Sequence, residues 1–144
     1  MKLRSILVDS SVVLSACKST SGASYFLHYL GHNNQLKIFV NRTILKETTR
    51  RIDKIGKSNE YLKQFLSWSN IASLPNPSSQ SMEEYKQTSP DPDDVHLFAS
   101  AKKLPGHTLV SLDKKHVLSV REKIPDLTIL SPGELLQELR STNL

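Results

Sequence analysis

The chain has 144 residues, and its 19 lysines and arginines outnumber its 14 aspartates and glutamates to give a formal charge of +5. This length favours one domain over residues 1–144 with a substantial core. The only cysteine, Cys17, excludes an intrachain disulfide and a cysteine-based metal cluster, while the positive charge suits a polyanionic partner.

The first apolar segment, residues 6–17, is interrupted at its centre by Asp9. A signal peptide needs an unbroken apolar stretch of about 7–15 residues, and an acid at the centre of a membrane helix costs roughly 3 kcal/mol. We therefore expect this segment to belong to a folded domain of a cytoplasmic protein that has no association with a membrane.

In the first half of the chain, short buried strands are predicted to alternate with capped helices. Residues 3–8 read as a strand, and Asp9, Ser10 and Ser11 are all suitable residues to begin a helix. Further elements follow in order: a helix over 22–31, a strand over 36–40, a long helix from Asn41 to Gly56, a helix from Ser58 to Trp68, and a loop over 74–80.

The second half continues the alternation. Asp91 is expected to cap a helix that has Pro92 at its first position and ends before Gly106. A strand over 107–112, a short helix over 113–120, a strand over 127–131 and a final helix from Ser131 complete the chain. This order predicts an α/β fold, a three-layer α/β/α sandwich whose central, mostly parallel sheet has four to five strands.

Two strands run directly into acids, since Asp9 follows 3–8 and Asp113 follows 107–112. Ligands of open parallel sheets bind beyond the carboxyl ends of the strands. Asp94 lies in the first turn of a helix, and Glu47 borders the apolar stripe of another, so four carboxylates are able to converge. Their mutual repulsion would be relieved by Mg²⁺ or Mn²⁺, which favour carboxylate and water ligands.

Each acid also has a structural interpretation. Asp9 and Asp113 are suited to capping helices, and the acids at 91, 93 and 94 complement the positive end of a helix dipole. Glu47 is at helical spacing for an ion pair with Arg50 or Arg51. The five histidines lack the spacing of paired metal ligands, and each is predicted to be a surface or cap residue.

Basic residues form two groups. Arg42, Lys46 and Arg50 recur every four residues and share one face of a predicted helix, which suits an RNA backbone as well as a solvated surface. Lys114 and Lys115 follow Asp113 directly and form part of the second group.

Five segments resemble, in order and spacing, the PIN-domain ribonucleases and most closely the VapC-like toxins of toxin–antitoxin pairs. These segments are ILVDSSVVLSA, ILKETTRRI, DPDDVHLFASA, TLVSLD and TILSPGELL. The resemblance implies that Asp9, Glu47, Asp94 and Asp113 are catalytic, metal-binding acids, and that Asp91 is an additional metal ligand. Ser111 stands where the family usually has threonine, and Ser11 belongs to the same supporting set of hydroxyls.

One position departs from the family pattern. Many members carry a further acid two residues after the fourth, where this chain has Lys115. A lysine there weakens the case for a second metal and suits a phosphate instead. Together with Arg42, Lys46, Arg50 and Lys114, Lys115 is predicted to contact RNA.

The resemblance implies an Mg²⁺- or Mn²⁺-dependent endoribonuclease that leaves a 5′-phosphate and a 3′-hydroxyl. As a toxin it would be a homodimer inhibited by a small antitoxin protein. Two alternatives remain open: a stand-alone PIN nuclease in RNA processing, and a non-catalytic module that binds RNA or protein. A receiver-type phosphoacceptor domain is a weaker rival, because Asp9 is followed by serines rather than a second acid.

Overall fold

A computed structural model describes residues 3–142 of the chain, so residues 1, 2, 143 and 144 of the predicted domain lie outside the described part. Its sheet has the strand order β3-β2-β1-β4-β5, and every neighbouring pair is parallel. The strands are β1 (Ser5–Val8), β2 (Lys37–Asn41), β3 (Ala72–Leu74), β4 (Thr108–Val110) and β5 (Thr128–Leu130).

Helices cover both faces of this sheet, so the predicted three-layer α/β/α class is confirmed. The α-helices are α1 (Ser10–Lys18), α2 (Ala23–His32), α3 (Arg42–Arg51), α4 (Asn59–Trp68), α5 (Ser79–Glu83), α6 (Val95–Lys102) and α7 (Pro132–Thr142). Short 3₁₀ segments span Ile52–Ile55, Pro92–Asp94 and Leu118–Lys123.

Strands β1 and β4 lie at the centre of the sheet and are buried over their whole length. Helix α1 contacts α2 and α3, and α2 contacts α7, whereas α6 packs on β1 and β4 and contacts α5. The chain leaves β1 towards β2 on one side and reaches β4 on the other, so right-handed crossovers place their helices on opposite faces. The carboxyl ends of β1 and β4 therefore form the topological switch point where ligands of such sheets bind.

The structure corrects three sequence-based predictions. Strand β3 and helix α5 were not predicted, since residues 72 and 73 were assigned to no element and 74–80 to a loop; β3 pairs with β2, and Ser78 caps α5. The helix expected over 42–56 is α-helical only to Arg51 and continues as a 3₁₀ turn up to Gly56, whose φ of 79° ends it.

The helix predicted over 113–120 is wrong. The carboxylate of Asp113 accepts the backbone N–H groups of Lys115 and His116, at 3.1 and 3.0 Å, so the chain makes a turn there instead of a helix. A 3₁₀ segment begins only at Leu118. This turn matters for the site because it aims His116 back towards the acids.

Within residues 3–142, no helix has the combination of length and apolar composition that crossing a bilayer requires. The first apolar segment is instead β1 and α1, separated by Asp9.

Candidate metal centre

Asp9 is the innermost acid of the site. It ends β1, caps α1 by accepting the Val12 N–H at 3.2 Å, and is only 6% exposed. The hydroxyl of Ser11 donates to one carboxylate oxygen and that of Ser111 to the other. Burial raises the pKa of Asp9, and these hydrogen bonds oppose the increase. The sequence predicted Asp9 both as a helix cap and as a site residue, and one carboxylate occupies both positions.

Ser111 connects the ends of β1 and β4. It is fully buried, donates to Asp9, and accepts the backbone N–H of Asp113 at 3.0 Å. The Ser11 hydroxyl likewise accepts the N–H of Leu112 at 3.2 Å. These two serines, both predicted as supporting residues, tie the loop after β4 to the start of α1 and thereby place Asp113 beside Asp9.

Asp94 lies on the 3₁₀ turn that precedes α6, and Asp91 begins that turn by accepting the Asp93 N–H at 2.9 Å. The pKa of Asp94 is raised to about 6, chiefly by burial and then by the negative charges of Asp91, Asp113 and Glu47. Nearby His116 opposes this increase. Burial is thus the main cause of the increase, and like-charge repulsion adds to it.

Glu47 reaches the same place from α3. It is half-buried and forms the predicted ion pair with Arg51, at 3.4 Å. Asp9, Glu47, Asp94 and Asp113 line one cleft of about 70 Å³, which we call the acidic cleft. Its other lining residues are Ser10, Ser11, Ile44, Arg51 and Leu97. The structure thus brings together all four acids that the sequence selected.

His116 adds a donor that the sequence reasoning missed. One ligand atom each of Asp91, Asp94 and His116 lie within 4.8 Å of one another. In addition, His116 Nδ1 is 3.4 Å from a carboxylate oxygen of Asp113. Its position three residues after Asp113 was the available signal, but its proximity to Asp91 depends on tertiary structure.

Two other histidines are buried, which contradicts the prediction of surface or cap residues. His28 is fully buried, its Nδ1–H donates to the Ser24 carbonyl of its own helix at 2.8 Å, and burial lowers its pKa to about 4. His96 Nδ1 accepts from the Asn41 side chain at 2.9 Å in a buried network with Ser100. Neither is among the residues that line the acidic cleft.

A larger groove of about 370 Å³, the α3 groove, opens beside the acidic cleft and shares Glu47, Arg51 and Asp94 with it. Its remaining lining residues are Thr43, Lys46, Arg50, Asp91 and Asp93. Cations on one side and carboxylates on the other suit a polyanion bridged to metal ions.

The predicted RNA-binding residues are placed unequally with respect to this groove. Lys46 and Arg50 line it, and Arg51, which was not predicted to bind RNA, lines both the groove and the cleft. Arg42 is exposed at the start of α3. Lys114 instead lines a separate surface pocket with Arg121 and Glu134, and the Lys115 side chain is exposed.

The donor set fits a hard divalent cation. Carboxylate oxygens dominate it, one imidazole adjoins it, and the negative charges of Asp91, Asp113 and Glu47 add to the burial that raises the pKa of Asp94. Asp91, Asp94 and His116 have ligand atoms close enough to share one ion, and Asp9, Glu47 and Asp113 line the cleft that adjoins them at Asp94.

No family model matches the chain, and no curated protein matches it. Among solved structures, the chain is similar to the crystal structure of PAE2754 from Pyrobaculum aerophilum, with a TM-score of 0.65 and 17% sequence identity. The match covers 96% of each chain. At this level of identity the similarity establishes a common fold.

Proposed function

We propose that this protein is a metal-dependent endoribonuclease that cleaves RNA phosphodiester bonds. The observation that carries the proposal is the convergence of Asp9, Glu47, Asp94 and Asp113, which come from separate parts of the chain, on one cleft at the switch point of the sheet. Placing like charges close together destabilises the fold through electrostatic repulsion unless a bound cation offsets that repulsion.

Mg²⁺ or Mn²⁺ is the cofactor that this donor set supports. Carboxylate oxygens are hard ligands, which both ions prefer, and the nitrogen of His116 favours a transition-metal ion such as Mn²⁺ over Mg²⁺. When bound, the ion would lower the pKa of a coordinated water and polarise the phosphoryl oxygens of the substrate.

The residues of the chain have separate roles in holding the ion and in orienting the water. Asp9, Asp94 and Asp113 would hold the ion, and the hydroxyls of Ser11 and Ser111 fix the orientation of the Asp9 carboxylate. Glu47, itself held by Arg51, orients the attacking water.

The α3 groove binds and positions the RNA substrate. Lys46 and Arg50 bind the phosphates that flank the scissile bond, because they line the groove that opens next to the acids. In-line attack would leave a 5′-phosphate and a 3′-hydroxyl, as the family resemblance implies.

The direct test is cleavage of a single-stranded RNA with Mg²⁺, with Mn²⁺ and with EDTA. We expect cleavage with either ion, none with EDTA, and at least about a hundredfold loss in Asp94→Asn, since even indirect metal contacts are worth 10- to 100-fold. Asp9→Asn should lose cleavage similarly while remaining folded, as its amide can still cap α1.

Glu122→Gln is the matched control, because Glu122 is an exposed acid on the 3₁₀ segment over 118–123 and does not line the cleft. It should cleave at the parent rate. Cleavage that persists in EDTA, or that is equal in Asp94→Asn and Glu122→Gln, would refute the nuclease assignment. Normal RNA affinity without metal binding would instead identify a non-catalytic RNA-binding module.

We propose further that the nuclease is a cytoplasmic, homodimeric toxin inhibited by a small antitoxin protein. This part rests on the resemblance to VapC-like toxins in the segments quoted above. A small open reading frame directly upstream, whose product forms a complex with the chain and stops cleavage, would support it. A fully active protein with no such neighbour would favour a stand-alone nuclease in RNA processing.

A further inference from the structure

A second binding feature lies away from the acids, where α2 and α4 meet. Six residues line an open cavity of about 390 Å³, within the size range of ligand pockets, which we call the aromatic slot. They are Thr20, Tyr25, Tyr61, Gln64, Phe65 and Trp68. Four aromatic rings and two polar side chains are a suitable lining for a flat, polar ring.

The walls of the slot are fixed by packing. Gly31 lets α2 approach the end of α4, because a Cβ there would lie 2.6 Å from the carbonyl oxygen of Ser69. His32 stacks on Trp68 with ring centroids 4.5 Å apart, and Tyr25 stacks on Trp68 at 5.6 Å. The Trp68 ring is therefore held in place rather than free to fill the cavity.

The rim of the slot is basic. The Lys57 ammonium lies 4.7 Å from the centroid of the Tyr61 ring. Residues 54–63 contain three lysines and one acid, Glu60. An aromatic slot with cations at its edge is the combination that binds single-stranded nucleic acid, since bases stack on the rings and phosphates contact the cations.

The residues that follow α3 in the sequence connect the proposed nuclease site to the slot. Helix α3 carries Arg50 and Arg51 from the α3 groove, the 3₁₀ turn carries Lys54, and Lys57 then reaches Tyr61. That turn packs against both α1 and α4.

We propose that the aromatic slot is a distal RNA subsite, in which a base of the substrate strand outside the acidic cleft stacks on Tyr61. This inference rests on the proposed nuclease function and extends it by adding an RNA contact outside the acidic cleft. The Lys57 ammonium over the Tyr61 ring and the exposed Lys54 on the preceding turn favour an RNA strand over an apolar protein segment as the occupant.

Trp68 supplies the measurement, because it is the only tryptophan of the chain and lines the slot. In EDTA, a single-stranded RNA of about 12 nucleotides is titrated while Trp68 fluorescence is recorded. We expect quenching by this RNA, and little quenching and weaker binding by an abasic strand of equal length. Equal responses to the two strands would overturn the proposal, as would RNA binding that leaves Trp68 unaffected.

Variants of Tyr61 test the stacking contact itself. Tyr61→Ala should weaken binding of the RNA roughly tenfold or more, the loss that follows removal of one stacked base, whereas Tyr61→Phe should bind like the parent. Phe26→Ala is the matched control, since Phe26 is 42% exposed on α2 and does not line the slot. Equal weakening by Phe26→Ala and Tyr61→Ala would contradict a specific role for the slot.

Two further readouts separate this inference from the nuclease proposal. Tyr61→Ala should raise KM for the long RNA and leave metal-dependent cleavage of a dinucleotide unchanged, while Asp94→Asn loses cleavage but keeps the Trp68 response. If the parent cleaves RNA and Tyr61→Ala cleaves the long RNA with an unchanged KM, the subsite proposal is refuted and the nuclease proposal is not. A dimer that Tyr61→Ala converts to a monomer in light scattering would assign the slot to a second copy of the chain and overturn the RNA subsite.

Discussion

Two regions at the carboxyl edge of the sheet carry carboxylates: one follows β5, and the other follows β1 and β4. The surroundings of these carboxylates differ. After β5, Glu134 accepts the Ser131 N–H at 2.9 Å, and the Ser131 hydroxyl accepts the Glu134 N–H at 3.1 Å. Arg121 donates to both oxygens of Glu134 at 2.9 Å. Hydrogen bonding by Ser131, together with Arg121, lowers the pKa of Glu134.

At the ends of β1 and β4 the pKa shifts have the opposite sign. Burial and neighbouring acids raise the pKa of Asp94 to about 6, and burial raises that of Asp9. After β5, the carboxylate of Glu134 has hydrogen-bond and ion-pair partners within the chain. The acidic cleft instead has more negative than positive side chains. Such unmatched charge distinguishes a site for an external cation from a structural cap.

The largest expected difference between the two regions is in metal binding. Mn²⁺ at about a hundred times its Kd should stabilise the parent by about 2.7 kcal/mol, a rise in Tm of roughly 5–10 °C. Asp94→Asn should lose most of this increase, and Glu134→Gln should retain it. Differential scanning fluorimetry with and without Mn²⁺ measures both, and the reverse pattern would place the cation at β5.

Much of this contrast was accessible from the sequence. The buried strands that run into Asp9 and Asp113 predicted the edge at which acids meet, and the sequence also places Ser131 and Glu134 at the three-residue spacing of a capping box. These features are local, because a short apolar stretch followed by a capping residue carries its own signal.

What the sequence did not reveal depends on contacts between distant residues. The hydroxyl of Ser111 reaches Asp9 across 102 positions, and His116 meets Asp91 only after the fold forms. Strand β3 has three residues, none fully buried, so it lacked the apolar pattern of a central strand. Its identity comes from pairing with β2 at the edge of the sheet.

Without metal, Asp94 is expected to destabilise the fold near neutral pH. Its pKa is raised above that of the unfolded chain, so the folded state binds the proton more tightly and its stability falls as pH rises from about 4 through 6. Asp94→Asn should therefore be more stable than the parent at pH 7, by about 1 kcal/mol after allowing for solvent screening. Urea unfolding in EDTA at pH 7 and pH 4 should show this gain only at pH 7.

The expected sign is opposite for Glu134. Its pKa is lowered on folding, so its stabilisation is present above about pH 4.5 and is lost as pH falls. Glu134→Gln should destabilise the protein by roughly 0.5–1 kcal/mol at pH 7, because the ion pair is partly exposed and the amide retains part of the capping box. The difference between the variant and the parent should shrink in urea unfolding at pH 4; a gain in stability at pH 7 would contradict the assignment of Glu134 as a satisfied cap.

The smallest expected effect concerns the cations next to each region. Lys46 lines the α3 groove beside the acidic cleft, whereas Lys114 lines the pocket that contains Arg121 and Glu134. If RNA passes through the groove, Lys46→Gln should reduce the slope of log affinity against log salt by about 0.7, the value for one phosphate contact on a single strand. Lys114→Gln should change that slope less, because Lys114 lines a pocket that is separate from the α3 groove. Filter binding in EDTA at several salt concentrations measures both slopes, and a larger effect at Lys114 would move the RNA path to the β5 side of the sheet.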